Sequence, residues 1–263
     1  MEYYVLCAVI FAVAYAINAT YISVFYHRGL THGAVTLSPG VRKFVVASGP
    51  WVMGIDAKTW VTMHRLHHRH SDAEQDPHSP LNSSILRVIV EQLRSYERIM
   101  RGLVVGKKQY TSEVPDLDFP VHVLYRKKLW WVPYALHLAI SVGLSVAFGG
   151  WLIGFAFYSG MVTHPIQGWM VNSFGHSMGY QTFDNQDNSR NNNIVSWLVM
   201  GEGYQNNHHK HPRSPKFSYR WFEIDYGYTV CQALQMLGVL KIEKEHIIHV
   251  AEKREETLAE NVA

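Results

Sequence analysis

Cysteine and charge are both scarce in this sequence of 263 residues. The two cysteines, Cys7 and Cys231, lie far apart, so neither a disulfide framework nor a cysteine-based zinc site is expected. Only 17% of the residues are charged and 48% are apolar, which excludes an intrinsically disordered chain. The net charge is +3, and no nucleic-acid partner is expected.

Three stretches contain no Asp, Glu, Lys or Arg at all: residues 3–26, 129–148 and 151–171. Each is long enough to cross a hydrocarbon core of about 30 Å. The sequence therefore predicts an all-α integral membrane protein with about three spans. The remaining segments, 61–128 and 172–257, are expected to form a helical, water-facing cap, and residues 1–263 a single domain.

Basic residues are absent before Arg28, and they concentrate in two later segments. Eleven lie between Arg65 and Lys128, and nine lie between Arg190 and Arg254. By the positive-inside tendency, the cap and the C-terminus are expected to be cytoplasmic and the N-terminus outside. The first residues lack the basic region of a signal peptide, so the first apolar stretch is interpreted as a retained anchor.

Three other segments have helical character without the length or composition of a span. Val41–Trp60 is apolar but interrupted by Gly49 and Pro50, which favours an interfacial or re-entrant helix. A helix is predicted from Ser84 to about Arg101, and an amphipathic helix over 229–257.

Histidine is abundant, with 16 residues that are mostly clustered. The first pair, His27 and His32, follows the first apolar stretch. A spacing of five places two side chains about 140° apart on an α-helix. Both reach one site only if the helix ends or turns between them, which Gly29 permits.

Three further groups have the spacing of ligands on one helical face. They are His64, His67 and His68; Gln205, His208 and His209; and Asn172 and His176. Gln205 stands where the second group has His64, so an amide oxygen replaces an imidazole nitrogen.

Eight histidines at one predicted depth exceed the four ligands that satisfy a zinc ion, so two metals are the simplest interpretation. Imidazole ligands alone leave iron, zinc and copper open.

The motifs HxxxxH, HxxHH and GEGxxNNHH, in this order beside the apolar stretches, resemble the membrane-bound di-iron fatty acid desaturases, especially bacterial acyl-CoA and acyl-lipid desaturases. Asp72–His78, Asn172–His176 and Asp187–Asn191 are similar to segments of the same family. The resemblance spans roughly Tyr21 to Tyr228.

The resemblance implies an oxygen-dependent enzyme that introduces a cis double bond into a saturated acyl chain carried by CoA, acyl carrier protein or a lipid. It implies two irons per chain, a bacterial inner-membrane location, contact with membrane lipid, and electrons from a ferredoxin-like or cytochrome-type donor, because no haem or flavin motif is visible. The implied iron ligands are His27, His32, His64, His67, His68, His176, His208 and His209.

The chain departs from the family's usual pattern in two ways. Acyl-CoA desaturases usually carry histidine at the position of Gln205, so one iron is expected to have an oxygen ligand or an open position filled by water. The larger desaturases also have a second N-terminal span, which this chain lacks.

Other residues have roles that the sequence leaves more open. Asn172 is expected to act through water, and Asp187 with Arg190 either forms an ion pair in the cap or orients ligand imidazoles. A substrate tunnel is expected to be lined by residues placed from position alone, namely Trp60, Met63, Tyr158 and Trp169.

Several polar residues near these groups are not expected to be ligands. Asp72, Asp76 and His78 are interpreted as hydrogen-bond partners that hold the loop after the second group. His164 is interpreted as a packing histidine or, alternatively, as part of the tunnel wall.

Two alternatives of function stay open at this point. The same metals would support a hydroxylase or ketolase of a lipid or carotenoid. A His-rich membrane metal transporter is the rival from another class, although transporters place ligands near the membrane midplane, and here most lie at the ends of the apolar stretches.

Overall fold

The computed structural model describes residues 1–248, which are mostly helical. The twelve α-helices described are α1 (Glu2–Thr20), α2 (Pro39–Met53), α3 (Ala57–His70), α4 (Val88–Val104), α5 (Lys108–Thr111), α6 (Val123–Arg126), α7 (Val132–Ala147), α8 (Trp151–Met161), α9 (His164–Phe174), α10 (Asn193–Leu198), α11 (Gln205–Lys210) and α12 (Tyr226–Met236). A π-helix (Tyr21–Thr31) continues α1, and a short 3₁₀ helix covers Lys244–His246.

The described part also contains a small sheet that the all-α prediction missed. Strand β1 (Val35–Leu37) pairs antiparallel with β2 (Leu240–Ile242), with Val35 opposite Ile242. Each strand buries its first and last residue and exposes the middle one. The pair is too short to give a periodic signal in the sequence.

Helix α1 and its π-helical continuation form one unbroken rod, Glu2–Thr31. In the described residues, this is the one helix that is both long and apolar enough to cross a membrane, whereas α7 and α8 are apolar but shorter. Helix α8 packs against α1 and α7. Gly160 permits close packing, because a Cβ there would lie 2.7 Å from that of Ala14.

The third apolar stretch, residues 151–171, is two helices rather than the one expected. Helix α8 ends at Met161, and α9 begins at His164. Pro165 lies in the first turn of α9, where its missing N–H breaks no intrahelical hydrogen bond. The restart brings α9 to the cap.

The predicted interfacial segment is also divided. Helix α2 ends at Gly54, which has a left-handed φ of +67°, and α3 begins after Asp56. The Asp56 carboxylate accepts hydrogen bonds from the backbone N–H and hydroxyl of Thr59 and from the His122 N–H. This buried cap fixes the start of the helix that carries His64, His67 and His68.

Two predicted helices have different limits in the structure. The helix expected from Ser84 to Arg101 is α4, which runs from Val88 to Val104. The helix expected over 229–257 is confirmed up to Met236, where α12 ends, and is wrong from there to residue 248, because Gly238 adopts φ +70° and β2 follows. The rest of that prediction, 249–257, lies outside the described residues.

Candidate metal centre

Five imidazoles meet in a first cluster at the base of the cap. They come from the π-helix, from the segment just after it, from α3 and from α11. The members are His27, His32, His64, His68 and His208, with ligand atoms within 4.8 Å of one another.

The π-helix explains how the first pair reaches one site. A π-helix closes i→i+5 hydrogen bonds, and the His32 N–H donates to the carbonyl of His27. Residues five apart therefore lie one above the other, and the two imidazole rings are 5.0 Å apart. The expectation that the helix breaks or turns at Gly29 is wrong, because the chain stays helical to Thr31.

The spacing of the nitrogens in this cluster fits a metal ion. Nε2 of His68 lies 3.0 Å from Nε2 of His64 and 2.9 Å from Nε2 of His208. Nε2 of His27 lies 3.0 Å from Nε2 of His208. Ligands about 2.1 Å from one ion and at right angles lie about 3.0 Å apart. Neutral imidazole nitrogens that converge at this distance suit a divalent metal held between them.

Glu202 holds the first cluster in place from behind. Nδ1 of His27 donates to its carboxylate at 2.6 Å, which leaves Nε2 of His27 as the free ligand atom. The other oxygen of Glu202 accepts from the guanidinium of Arg28 at 2.8 Å. Arg28 is fully buried and also pairs with Asp225 at 2.9 Å.

Three more imidazoles form a second cluster beside the first. Nε2 of His67, His176 and His209 has no hydrogen-bond partner among residues 1–248, and their ligand atoms lie within 4.8 Å of one another. The rings of His68 and His209, one from each cluster, are 4.5 Å apart. The eight predicted histidines thus occupy two adjacent sites.

Each imidazole of the second cluster has its own carboxylate. Nδ1 of His67 donates to Asp76 at 2.9 Å, Nδ1 of His176 to Asp72 at 3.0 Å, and Nδ1 of His209 to Asp187 at 2.6 Å. Such pairs fix the tautomer and ring orientation of metal-binding histidines.

The roles of these carboxylates differ in part from the sequence interpretation. Asp187 accepts from Nδ1 of His209, whereas Arg190 donates to the carbonyl of Gly179. Asp72 and Asp76 hold the loop as expected, because Asp72 accepts from the Ser79 hydroxyl and Asp76 from the His78 backbone N–H. The same expectation for the His78 side chain is wrong, because neither of its ring nitrogens has a hydrogen-bond partner among residues 1–248.

Burial sets the protonation of the clusters. It lowers the pKa values of His32, His64, His68 and His208 well below 6.5, and the positive charge of neighbouring imidazoles adds to the effect. The pKa of His209 falls to about 4 for the same reason, despite Asp187. Neutral imidazole is the form that binds metal.

His67 and its carboxylate titrate in the opposite sense. Burial alone would lower the pKa of His67 and raise that of Asp76, but the charge and hydrogen bond between them win. The pKa of His67 is raised and the pKa of Asp76 is lowered.

One cavity opens onto the first cluster through His27 and His64, and it reaches His78 beside the second cluster. It encloses about 920 Å³ of space, part of it open to the outside, and apolar groups dominate its wall. Of the predicted tunnel residues, Trp60 and Met63 line it; Tyr158 and Trp169 are not part of its wall. The indole of Trp169 instead donates to the carbonyl of Ile85.

The less certain site residues also lie at this cavity. Gln205 and Asn172 line it, and the Asn172 amide donates to Gln92 at 3.3 Å. His164 lines it as well, as one of its two sequence interpretations expected.

Sequence reasoning gave no role to three residues of the site: Arg28, Glu202 and Gln92. Glu202 stands inside the GEGxxNNHH motif and Arg28 inside HxxxxH, so the motifs contained the signal. Gln92 lies in the exposed-looking helix α4 and carries no such signal.

The comparisons with known proteins agree with this geometry. The family model described as fatty acid desaturase matches residues 3–226. The chain is 31% identical to an sn-1 stearoyl-lipid 9-desaturase of Anabaena variabilis over 83% of this chain and 76% of that protein. It is 31% identical to an acyl-CoA 5-desaturase of Anemone leveillei, over 81% of this chain and 64% of the relative.

A third relative differs in the reaction that its name describes. The chain is 28% identical to a hex-5-enoyl-[acyl-carrier protein] acetylenase of Moorena producens, over 86% of this chain and 73% of that protein. The family match covers most of the chain, as do the relatives. The chain therefore belongs to the fatty acid desaturase family and is an oxidoreductase.

Proposed function

We propose that the chain introduces a cis double bond into a saturated acyl chain with two irons, one in each histidine cluster. The observation that carries the proposal is that the first cluster faces an apolar cavity, while the second cluster lies directly beside the first. His27 and His64 of the first cluster are part of the cavity wall, so a hydrocarbon in the cavity lies beside the ligands.

The overall reaction balances as one CH₂–CH₂ unit, O₂, two electrons and two protons giving CH=CH and two waters. When bound, the irons supply the oxidation of unactivated C–H bonds by O₂, which no side chain provides. An external donor supplies the electrons, and a ferredoxin-like or cytochrome-type protein on the cytoplasmic side suits this role.

The chain's own residues position the substrate and keep the site dry. Trp60 and Met63 form apolar wall beside the first cluster, and the Trp60 indole stacks on the ring of His64 at 5.1 Å. These contacts restrict where the acyl carbons lie relative to the metals, which is the source of effective molarity. The carboxylates behind the imidazoles keep the ligand atoms directed inward.

The relatives support an acyl substrate without selecting its carrier. Their names describe acyl-lipid, acyl-CoA and acyl-carrier-protein substrates, so we leave the carrier open among these three. Family membership favours desaturation over hydroxylase, ketolase or metal-transporter activity.

A membrane location for the hydrocarbon end of the molecule is part of the proposal. The surfaces of α1, α7 and α8 expose large apolar side chains, among them Val13, Val142, Val146 and Trp151. An apolar surface of this kind is typical of contact with lipid. The inner-membrane location and the cytoplasmic side of the cap stay predictions from the resemblance and the charge distribution.

The test pairs metal content with product analysis. The purified chain, supplied with O₂, an electron donor and saturated acyl substrates, should contain about two irons and give a product lighter by two mass units. A product heavier by sixteen mass units would support hydroxylation instead. His68→Ala should abolish product and reduce iron below two per chain. His70→Ala is the matched control, because His70 belongs to neither cluster, and it should keep both.

A further inference from the structure

The second cluster supplies fewer imidazoles than the first. Three histidines have their ligand atoms together there, against five in the first cluster. The position on α11 that would supply another ligand to the second site is Gln205. Its side chain lies against Gly175, next to His176, and its amide N–H donates to the carbonyl of Glu202 at 2.7 Å. This hydrogen bond fixes the amide and leaves its oxygen as the only possible ligand.

His78 lies beside this site, and its imidazole is buried. It is only 3% exposed, and neither of its ring nitrogens has a hydrogen-bond partner among residues 1–248. Its ring lies 4.7 Å from that of His67. A buried imidazole without a partner is rare in folded proteins. The ring nitrogens of His78 are therefore available to hydrogen-bond a small ligand that binds together with the metal.

His78 is too far from the cluster to be a direct ligand. Two nitrogens on one ion, each about 2.1 Å away, are at most about 4.2 Å apart. His78 does not join the group of His67, His176 and His209, whose ligand atoms lie within 4.8 Å of one another; within that distance it groups instead with His67 and Asp76. A water on the ion extends the reach to about 4.9 Å from metal to imidazole, which adds a hydrogen bond of about 2.8 Å.

We propose that His78 positions a water molecule, or a small anion that replaces it, on the metal of the second cluster, in the coordination position that Gln205 leaves without an imidazole. His78 and Gln205 both line the cavity, so this position is open to small ligands. The proposal rests on the two metal sites of the proposed function. In this proposal His78 is a positioning residue, and the metal of the second cluster is the one that carries an exchangeable small ligand.

Azide is a suitable probe, because it binds ferric iron, gives a charge-transfer absorption band, and needs no substrate. Titration of the oxidised two-iron protein should give one azide per chain. In His78→Phe, which keeps a ring but no hydrogen bond, azide should bind at least fivefold more weakly. His78→Gln keeps a hydrogen-bonding side chain and should restore most of the affinity. His70→Phe is the matched control and should leave it unchanged.

A second variant tests the same position from the other side. Gln205→His supplies the missing imidazole, so it should lower azide affinity at least tenfold while iron content stays at two per chain. Unchanged azide affinity in both His78→Phe and Gln205→His would overturn the inference, even if the enzyme forms its product. Normal azide behaviour with no unsaturated product would instead count against the proposed function alone. Iron below two in the unaltered protein would overturn both.

Discussion

Glu202 connects the first cluster to a buried charge, because its carboxylate contacts both His27 and Arg28. It orients His27 and neutralises Arg28, which is fully buried. Loss of one partner of a buried ion pair is costly because the other charge stays buried. The same side chain therefore links metal binding to folding stability.

We expect Glu202→Gln to destabilise the metal-free protein by about 3–5 kcal/mol, since Arg28 would keep only Asp225 as a charged partner. The apparent Tm should fall by roughly 10 °C. Thermal unfolding followed by tryptophan fluorescence in detergent measures this. Metal affinity of the first cluster should fall about 10–100-fold as well.

Glu97→Gln is the control for that measurement, because Glu97 forms an exposed pair with Arg101 one helical turn away. It should lower the free energy of unfolding by no more than a surface pair contributes, about 1 kcal/mol or less, and so change Tm little. Equal Tm values for the two variants would contradict the role assigned to Glu202.

At this scale the sequence predicted which eight histidines lie together, because ligand spacing is local and leaves a pattern; their role as ligands stays a prediction. The partners of those histidines were harder to predict. For Asp187 the sequence left two roles open, an ion pair with Arg190 or the orientation of an imidazole. Glu202 lies 175 residues after His27. A hydrogen bond between distant segments has no periodicity, so the sequence places Glu202 inside a histidine motif but does not pair it with His27.

At the scale of elements, α3 depends on how it begins. Its N-cap, Asp56, is 2% exposed and accepts three hydrogen bonds, from Thr59 and from the His122 N–H. Burial raises the pKa of the Asp56 carboxyl despite these donors. The cap holds the break after Gly54 and hence the direction of the helix that carries three ligands.

We expect Asp56→Ala to lower the free energy of unfolding by about 1–3 kcal/mol, because it removes an N-cap and leaves buried donors without an acceptor. Asp56→Asn keeps one acceptor oxygen and should cost less than half as much. Chemical or thermal unfolding of both variants beside the unaltered protein measures the difference. Equal losses would show that charge, and not acceptance of hydrogen bonds, is what the cap provides.

The elements that the sequence mispredicted share a cause. Periodicity detects regular α-helix, and it assumes 3.6 residues per turn. The π-helix from Tyr21 to Thr31 breaks that assumption, so the spacing of His27 and His32 suggested a turn at Gly29. Likewise, 151–171 is apolar throughout, and only Pro165 marked the boundary between α8 and α9.

At the scale of the whole molecule, the histidine clusters make metal-free protein sensitive to acid. In the unfolded chain these imidazoles titrate near 6.5. In the folded state burial lowers the pKa values of His32, His64, His68 and His208 well below that, and the pKa of His209 to about 4. At pH values between these lowered pKa values and about 6.5, the unfolded state therefore binds more protons than the folded state.

We therefore expect the free energy of unfolding of the metal-free protein to fall as pH decreases from 7.5 to 5. Its apparent Tm should drop by several degrees over this window, and the raised pKa of His67 offsets only part of the loss. Tm measured at half-unit pH intervals in chelator tests this. His68→Leu removes one lowered imidazole and should give a shallower slope. A flat profile from pH 7.5 to 5 would contradict the expectation.

A mostly helical chain with an apolar N-terminal helix and clustered histidines was predictable, because charge-free runs and ligand spacing are both local properties. The small β1–β2 sheet was not, since its strands have three residues each and lie about 200 residues apart. Of the three expected spans, the first is the one that forms a helix long enough to cross a membrane among residues 1–248. How many helices cross a membrane, and in which direction, stays a prediction from the charge distribution.

The first cluster joins parts of the chain that are made at very different times. His27 and His208 are separated by 181 residues. At about 5–20 residues per second of synthesis, the interval between them is roughly 10–40 s. For that period the nascent chain holds an incomplete set of ligands, while its first apolar helix is already available for insertion. The first cluster is therefore complete only after α11 has been made, long after the first apolar helix.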